Sequence, residues 1–292
     1  MSQASRLSLP TPSPSGFPVR LEHLVDVDAH EGPVYVPGED ALYFTSVPRP
    51  GPRVDIKRLD LGSLSVLVVR ADARAANGMA LGHDGRLIVC EQIGGAIAAV
   101  DRSTGKRELL VAGFNSPNDV VVKRDGTMWF TDPSYGWLQG FRPRPLLRDA
   151  VWRYDPRTGG AIAVADSFDK PNGLCFSPDE RTLYVADNGE PHHLKAFDVL
   201  DGGRLDRERV IHVSSPEHPD GLKADSAGRL YATVAGGVEI LGPDGSPIGA
   251  IEVSGAVNFC FGGPERDILF ITADTAIYAA HLEAKGPWTW PS

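Results

Sequence analysis

Apolar residues along this chain fall in runs of three to six, broken by turn residues too often for helices. In SPNDVVVKRDGTMWFTDP (116–133), Val120–Val122 and Met128–Phe130 are two such runs. The KRDG between them places a glycine where a hairpin turn tolerates positive φ. The same order of polar anchor, apolar strand, turn and second apolar strand recurs along the chain. It appears in EGPVYVPGEDALYFTSV from Glu31, NGMALGHDGRLIVCE from Asn77 and PNGLCFSPDERTLYVADN with Asn172. It returns in PDGLKADSAGRLYATVAG with Asp220 and in VNFCFGGPERDILFITAD with Asn258. Together with Asn118, these six anchors follow one another at intervals of 38 to 54 residues. Such intervals fit four-stranded propeller blades, and each has room for two more strands, such as AVWRYDP and GAIAVADS. No long stretch carries a helical period. The pattern therefore predicts an all-β chain: a six-bladed β-propeller over 19–292 with a central, metal-binding channel. An early strand near Val19 to Val25 closes it as the outer strand of the last blade. Residues 1–18, rich in Ser and Pro, read as a disordered N-terminal tail.

In a propeller the first strand of each blade lines the channel, so the six anchors meet at one mouth. The expected ring is Glu31, Asn77, Asn118, Asn172, Asp220 and Asn258, two acids and four amides. Asn and Asp also begin turns through local hydrogen bonds, but six in register point to a site. A cage of oxygens suits one hard divalent cation, Ca²⁺ first, with Mg²⁺, Mn²⁺ or Zn²⁺ also admitted. A cation there could polarise a carbonyl or phosphoryl oxygen, with Asp220 or Glu31 as proton acceptor.

The loops joining second to third strands overhang the ring. They include 46–55, 91–96, 132–149 and 187–195. The third is long, aromatic and basic, and its Tyr135, Trp137, Phe141, Arg142 and Arg144 form a lid or a substrate wall. The fourth carries His192 and His193. Candidate substrate contacts are Asn77, Asn118, Tyr135 and His193. Glu91, Asp132 and Asp187 end second strands near the mouth, where they support the site or cap turns.

Composition narrows the partners. A net charge of −9 argues against nucleic acid and against an anionic membrane. Cys90, Cys175 and Cys260 lie far apart inside apolar runs, so they read as small buried hydrophobes, neither a disulfide framework nor a zinc knuckle. No apolar run approaches the ~18 residues of a membrane span, and no signal peptide is visible. The expectation is a cytoplasmic protein acting on a small molecule, with its oligomeric state open. GxSxG, P-loop, HExxH and GxGxxG signatures are missing.

HEGPVY, SPNDVVV, FTDPSYG, PNGLCFSPDERTLYVADN and HPDGLKAD resemble the gluconolactonase/regucalcin (senescence-marker protein) family of six-bladed propellers. The resemblance covers about residues 20 to 282. It implies one divalent metal held by Glu31, Asn172 and Asp220, with Asn118 as fourth ligand or substrate-contacting neighbour. It implies Asp220 as acid/base and the hydrolysis of sugar lactones as the activity. Relatives of that family include the calcium-dependent diisopropylfluorophosphatase, so a phosphotriesterase or arylesterase is the alternative. A non-enzymatic calcium-binding propeller is a third reading. One position departs from the pattern: regucalcin-type members carry Arg two residues before the third anchor, where this chain has Ser116. The corresponding sugar contact is lost or supplied elsewhere, for instance by the 132–149 loop, which leaves the identity of the lactone open.

Overall fold

The structure, a computed structural model, describes residues 20–214 and 218–287. The tail expected over 1–18 lies outside the described residues. The strands, numbered β1 to β24 along the chain, form six four-stranded antiparallel sheets, the blades of a propeller. Five sheets are built from consecutive strands. The sixth takes β22 (Asn258–Gly262), β23 (Ile268–Thr272) and β24 (Asp274–His281) from the C-terminal end, with β1 (Arg20–Ala29) as its outer strand. Arg20 pairs with His281 and Ala29 with Asp274, so the predicted closure by an early strand is what forms.

The innermost strands are β2 (Val34–Val36), β6 (Ala76–Leu81), β10 (Val120–Val122), β14 (Pro171–Phe176), β18 (Leu222–Ala224) and β22. Each pairs with the second run of its own hairpin. Val120 faces Phe130 and Val122 faces Met128, and Gly126 in the turn has φ +84°. The second strands β3 (Ala41–Thr45), β7 (Leu87–Glu91), β11 (Met128–Asp132) and β19 (Leu230–Val234) are buried along their whole length. A strand covered by neighbouring blades on both faces reads as a continuous apolar run instead of an alternation. The outer strands β5 (Val66–Arg70) and β17 (Leu205–Val213) are mostly exposed or half-exposed.

The core accordingly divides into six apolar clusters, one at each junction between blades. Cys90, Cys175 and Cys260 are free, buried members of three of them. Helix is confined to short turns among the described residues, the α-helical one being Tyr135–Leu138 in the 132–149 loop. No described helix is long and apolar enough to cross a membrane.

Candidate metal and active site

All six anchors stand at, or just before, the start of an inner strand. Asn77, Asn172 and Asn258 lie within β6, β14 and β22, while Glu31, Asn118 and Asp220 stand two or three residues before β2, β10 and β18. Backbone contacts hold the ring tightly. Gly78 N–H donates to Asn118 O at 2.7 Å, and Gly173 N–H donates to Asp220 O at 3.0 Å. A Cβ added at Gly78 would lie 2.5 Å from Asn118 O, and one at Gly173 2.2 Å from Asp220 O. The residue after the anchor must therefore be glycine at these two junctions, which explains the NG pairs in the sequence.

A second row of residues fixes the anchors from behind. Thr45 Oγ1 donates to Glu31 O at 2.9 Å and accepts from Glu31 N–H at 3.1 Å. Thr131 Oγ1 accepts from Asp119 N–H at 3.1 Å, Thr233 Oγ1 from Gly221 N–H at 2.6 Å, and Thr272 Oγ1 donates to Asn258 O at 3.0 Å. All four threonines are fully buried near the ends of second strands. Sequence reasoning passed over them, although FTS, FTD, ATV and ITA repeat a threonine at one blade position. The acids at second-strand ends behave similarly. Asp132 accepts from the backbone N–H of Asn115 (2.9 Å) and Ser116 (2.8 Å), and Asp187 from Asp169 (3.1 Å) and Lys170 (2.7 Å). Glu91 instead takes a bidentate bond from Arg107 at 2.6 and 2.7 Å.

The ring itself is incompletely satisfied. Oδ1 of Asn77, Asn118 and Asp220 is buried with no hydrogen-bond partner among the described residues. Asn258 differs from the other amides: its Nδ2 donates to Glu31 Oε2 at 2.7 Å and its Oδ1 accepts from Phe259 N–H at 2.7 Å. It orients Glu31, and its oxygen is already engaged by the backbone. Burial pushes the Asp220 carboxyl well above its ordinary range, and the charge of Glu31 pushes it further. Burial likewise raises Glu31, outweighing the opposing pull of His30 and Asn258. Glu31 raises Asp220, Asp119 raises Glu31, and three buried oxygens beside them have no partner among the described residues, so the ring holds more acceptors than donors.

Among the described residues no three His, Cys, Asp or Glu side chains gather as metal ligands. The oxygens here come largely from amides, and that donor set fits a hard cation such as Ca²⁺ better than a soft one.

The 132–149 loop reaches this mouth. Tyr135 O–H donates to Asn188 Oδ1 at 3.1 Å and accepts from Asn172 Nδ2 at 3.3 Å. Burial raises the phenol, as does the nearby Asp220, so Tyr135 stays protonated. Arg142 does not face the ring centre: its guanidinium donates to the carbonyls of Asn115, Ile93 and Phe114 at 2.8–2.9 Å. Ser116 is fully buried, donates to Pro133 O at 2.7 Å and accepts from Gly136 N–H at 2.9 Å. The serine that replaces the expected arginine thus anchors the loop, and the loop supplies Tyr135. These tethers make the loop a fixed wall. His193 opens β16 (His193–Val199), paired with Asp187 and Val213. Its neighbour His192 packs against His218 with ring centroids 4.1 Å apart.

One further pair escaped sequence reasoning. Lys223, three residues past Asp220, reaches Asp119, next to Asn118, with Nζ to Oδ2 at 3.3 Å. The two positions are 104 residues apart in sequence, so only the closed ring brings them together.

Comparisons with known proteins bear on the family and the fold. The family model described as SMP-30/Gluconolactonase/LRE-like region matches residues 29–275. A gluconolactonase of Zymomonas mobilis is 30% identical, over 89% of this chain and 80% of its own length. A lactonohydrolase of Aspergillus oryzae is 29% identical, over 89% of this chain and 69% of its own. Among solved structures, a gluconolactonase from Xanthomonas campestris superposes with a TM-score of 0.83 at 30% identity, covering 97% of this chain and 99% of that one. A calcium-binding regucalcin from Agrobacterium tumefaciens shares the fold, with a TM-score of 0.74 at 20% identity, covering 92% and 95% of the two chains.

Proposed function

The chain belongs to the SMP-30/gluconolactonase/LRE-like family, and from that premise we propose that it hydrolyses a lactone of the sugar type at the anchor ring. The observation that carries the proposal is the set of buried oxygens on Asn77, Asn118 and Asp220 that have no partner among the described residues, with the Glu31 carboxylate acting on Asp220. Glu31, Asn118, Asn172 and Asp220 would hold one divalent cation, Ca²⁺ first. When bound, that ion supplies polarisation of the carbonyl and a lowered pKa for water.

The chain's own residues do the rest. Asp220, freed of its repulsion with Glu31 by the compensating charge, accepts the proton of the attacking water. The water oxygen bonds to the carbonyl carbon, the ring C–O bond breaks, and the proton reaches the departing alkoxide. The product is the open hydroxy acid. Tyr135 holds Asn172 in place through its hydroxyl, and together with Asn77 and Asn118 it forms the wall against which the lactone lies. Asn258 fixes Glu31, and the buried threonines fix the backbone of four anchors.

An ester with an apolar leaving group is the second reading. It is favoured by the exposed apolar edge of the 132–149 loop, where Trp137 is 44%, Leu138 57% and Leu146 99% exposed. Proton release from chelator-stripped protein, offered gluconolactone, other lactones and a phosphotriester with each metal added back, separates the two. Opening of a sugar lactone only with metal present supports the first reading. Turnover of the phosphotriester alone supports the second.

A further inference from the structure

The far end of the channel holds a second cavity, of about 230 Å³. It opens on the face of the turns between first and second strands, opposite the anchor ring. Inner-strand residues downstream of the anchors form its walls, among them Leu81, Val120, Val122, Phe176 and Phe261. Four basic side chains also line it, Lys223, His83, Arg124 and Arg266, against one acid, Glu180. That acid is already engaged, accepting from Lys123 Nζ at 3.0 Å and from Arg124 N–H at 2.9 Å.

Lys223 is the member nearest the ring. Its ammonium has three donors and, among the described residues, one hydrogen bond, to Asp119 at 3.3 Å. Its side chain keeps 24% of its surface open, although the residue lies inside the channel. Beyond Asp119 its remaining donors have no acceptor among the described residues, and an anion in the cavity that Lys223 lines would complete its hydrogen bonds. The apolar walls in turn select against a heavily hydroxylated acid.

We propose that this cavity is a binding site for a small apolar monocarboxylate, its carboxylate on Lys223 and its hydrocarbon part against Val122, Phe176 and Phe261. At about 30 Å³ per water-sized group, the cavity holds roughly eight such groups, the size of hexanoate or benzoate. The site is distinct from the anchor ring and does not depend on the lactonase reading.

Calorimetric titration of the full chain, loaded with Ca²⁺, with benzoate and with hexanoate tests this, using benzamide as the uncharged counterpart of benzoate. Saturable binding of the acids at or below about 1 mM is expected, with benzamide at least about tenfold weaker. Val122→Phe fills the cavity from its wall and should abolish binding, while Lys223→Met should weaken it at least about tenfold. Val122→Phe and benzamide decide the matter even if Lys223→Met fails to fold. The proposal is overturned if folded wild-type protein shows no saturation by about 10 mM, if benzamide binds as well as benzoate, or if Val122→Phe leaves binding unchanged.

Discussion

The two ends of the channel are made by the same six inner strands and have opposite chemistry. In β14, Asn172 belongs to the anchor ring and Phe176 to the far cavity; in β6, Asn77 and Leu81 divide in the same way. Among the described residues, the buried side-chain oxygens without partners all belong to the ring. An orphaned buried acceptor costs about 1–3 kcal/mol. Three of them stand here beside Asp220, whose proton affinity the charge of Glu31 raises, which is why the proposed function places a cation at this ring. The far end carries the reverse, a cationic group beside apolar walls. The buried oxygens of the ring and the apolar walls of the far cavity lie on either side of the Asp119–Lys223 pair.

The contrast breaks most sharply at Asp220. Replacing it with Asn keeps an oxygen donor but removes the base. Lactone opening should fall by about 10²–10⁴-fold, while cation affinity, measured by calorimetry, changes far less. A loss of both in equal measure would reduce Asp220 to a ligand only. Glu31→Gln removes half of the ring's negative charge, and cation affinity should drop by on the order of 10²-fold. Unchanged affinity would move the cation away from the ring.

Tyr135→Phe deletes the hydroxyl that joins Asn172 to Asn188, and a loss of about tenfold in kcat/KM is expected. No loss would leave the 132–149 loop without a part in the site. A last prediction concerns stability alone. Burial pushes Asp132 up to about 7. Because that lies above its unfolded value, its favourable contribution is full below about pH 4 and is lost as pH rises through 7. The swing is at most about 4 kcal/mol. Thermal melts of the wild type should therefore gain stability from pH 8 to pH 5.5 by an increment that Asp132→Asn lacks. Parallel pH profiles for the two proteins would contradict the assignment.

Much of this was legible in the sequence, for a physical reason. Blade hairpins are local: a turn such as RDGT or PDGS and two apolar runs specify each one within about twenty residues, so blade number and the positions of all six anchors could be read directly. The partners that tune the ring were not legible, because they meet only when the ring closes. Asn258 looks like any other anchor until its amide is found on Glu31, 227 residues away in sequence. Ser116 reads as a lost contact, and only the fold shows it tying down the loop that delivers Tyr135. The threonines left a repeated trace, but a threonine in a strand is common enough to pass unnoticed. The far cavity left none, because Val, Cys and Phe facing an open channel look the same in sequence as those facing a packed core.

The central claim is that one divalent cation in the anchor ring makes the lactonase. Its most direct test titrates Ca²⁺ into chelator-stripped protein twice, once by calorimetry and once while following gluconolactone opening. The account predicts one ion per chain, with half of the lactone opening restored at the calorimetric Kd. Full lactone opening by stripped protein with no ion bound would contradict it.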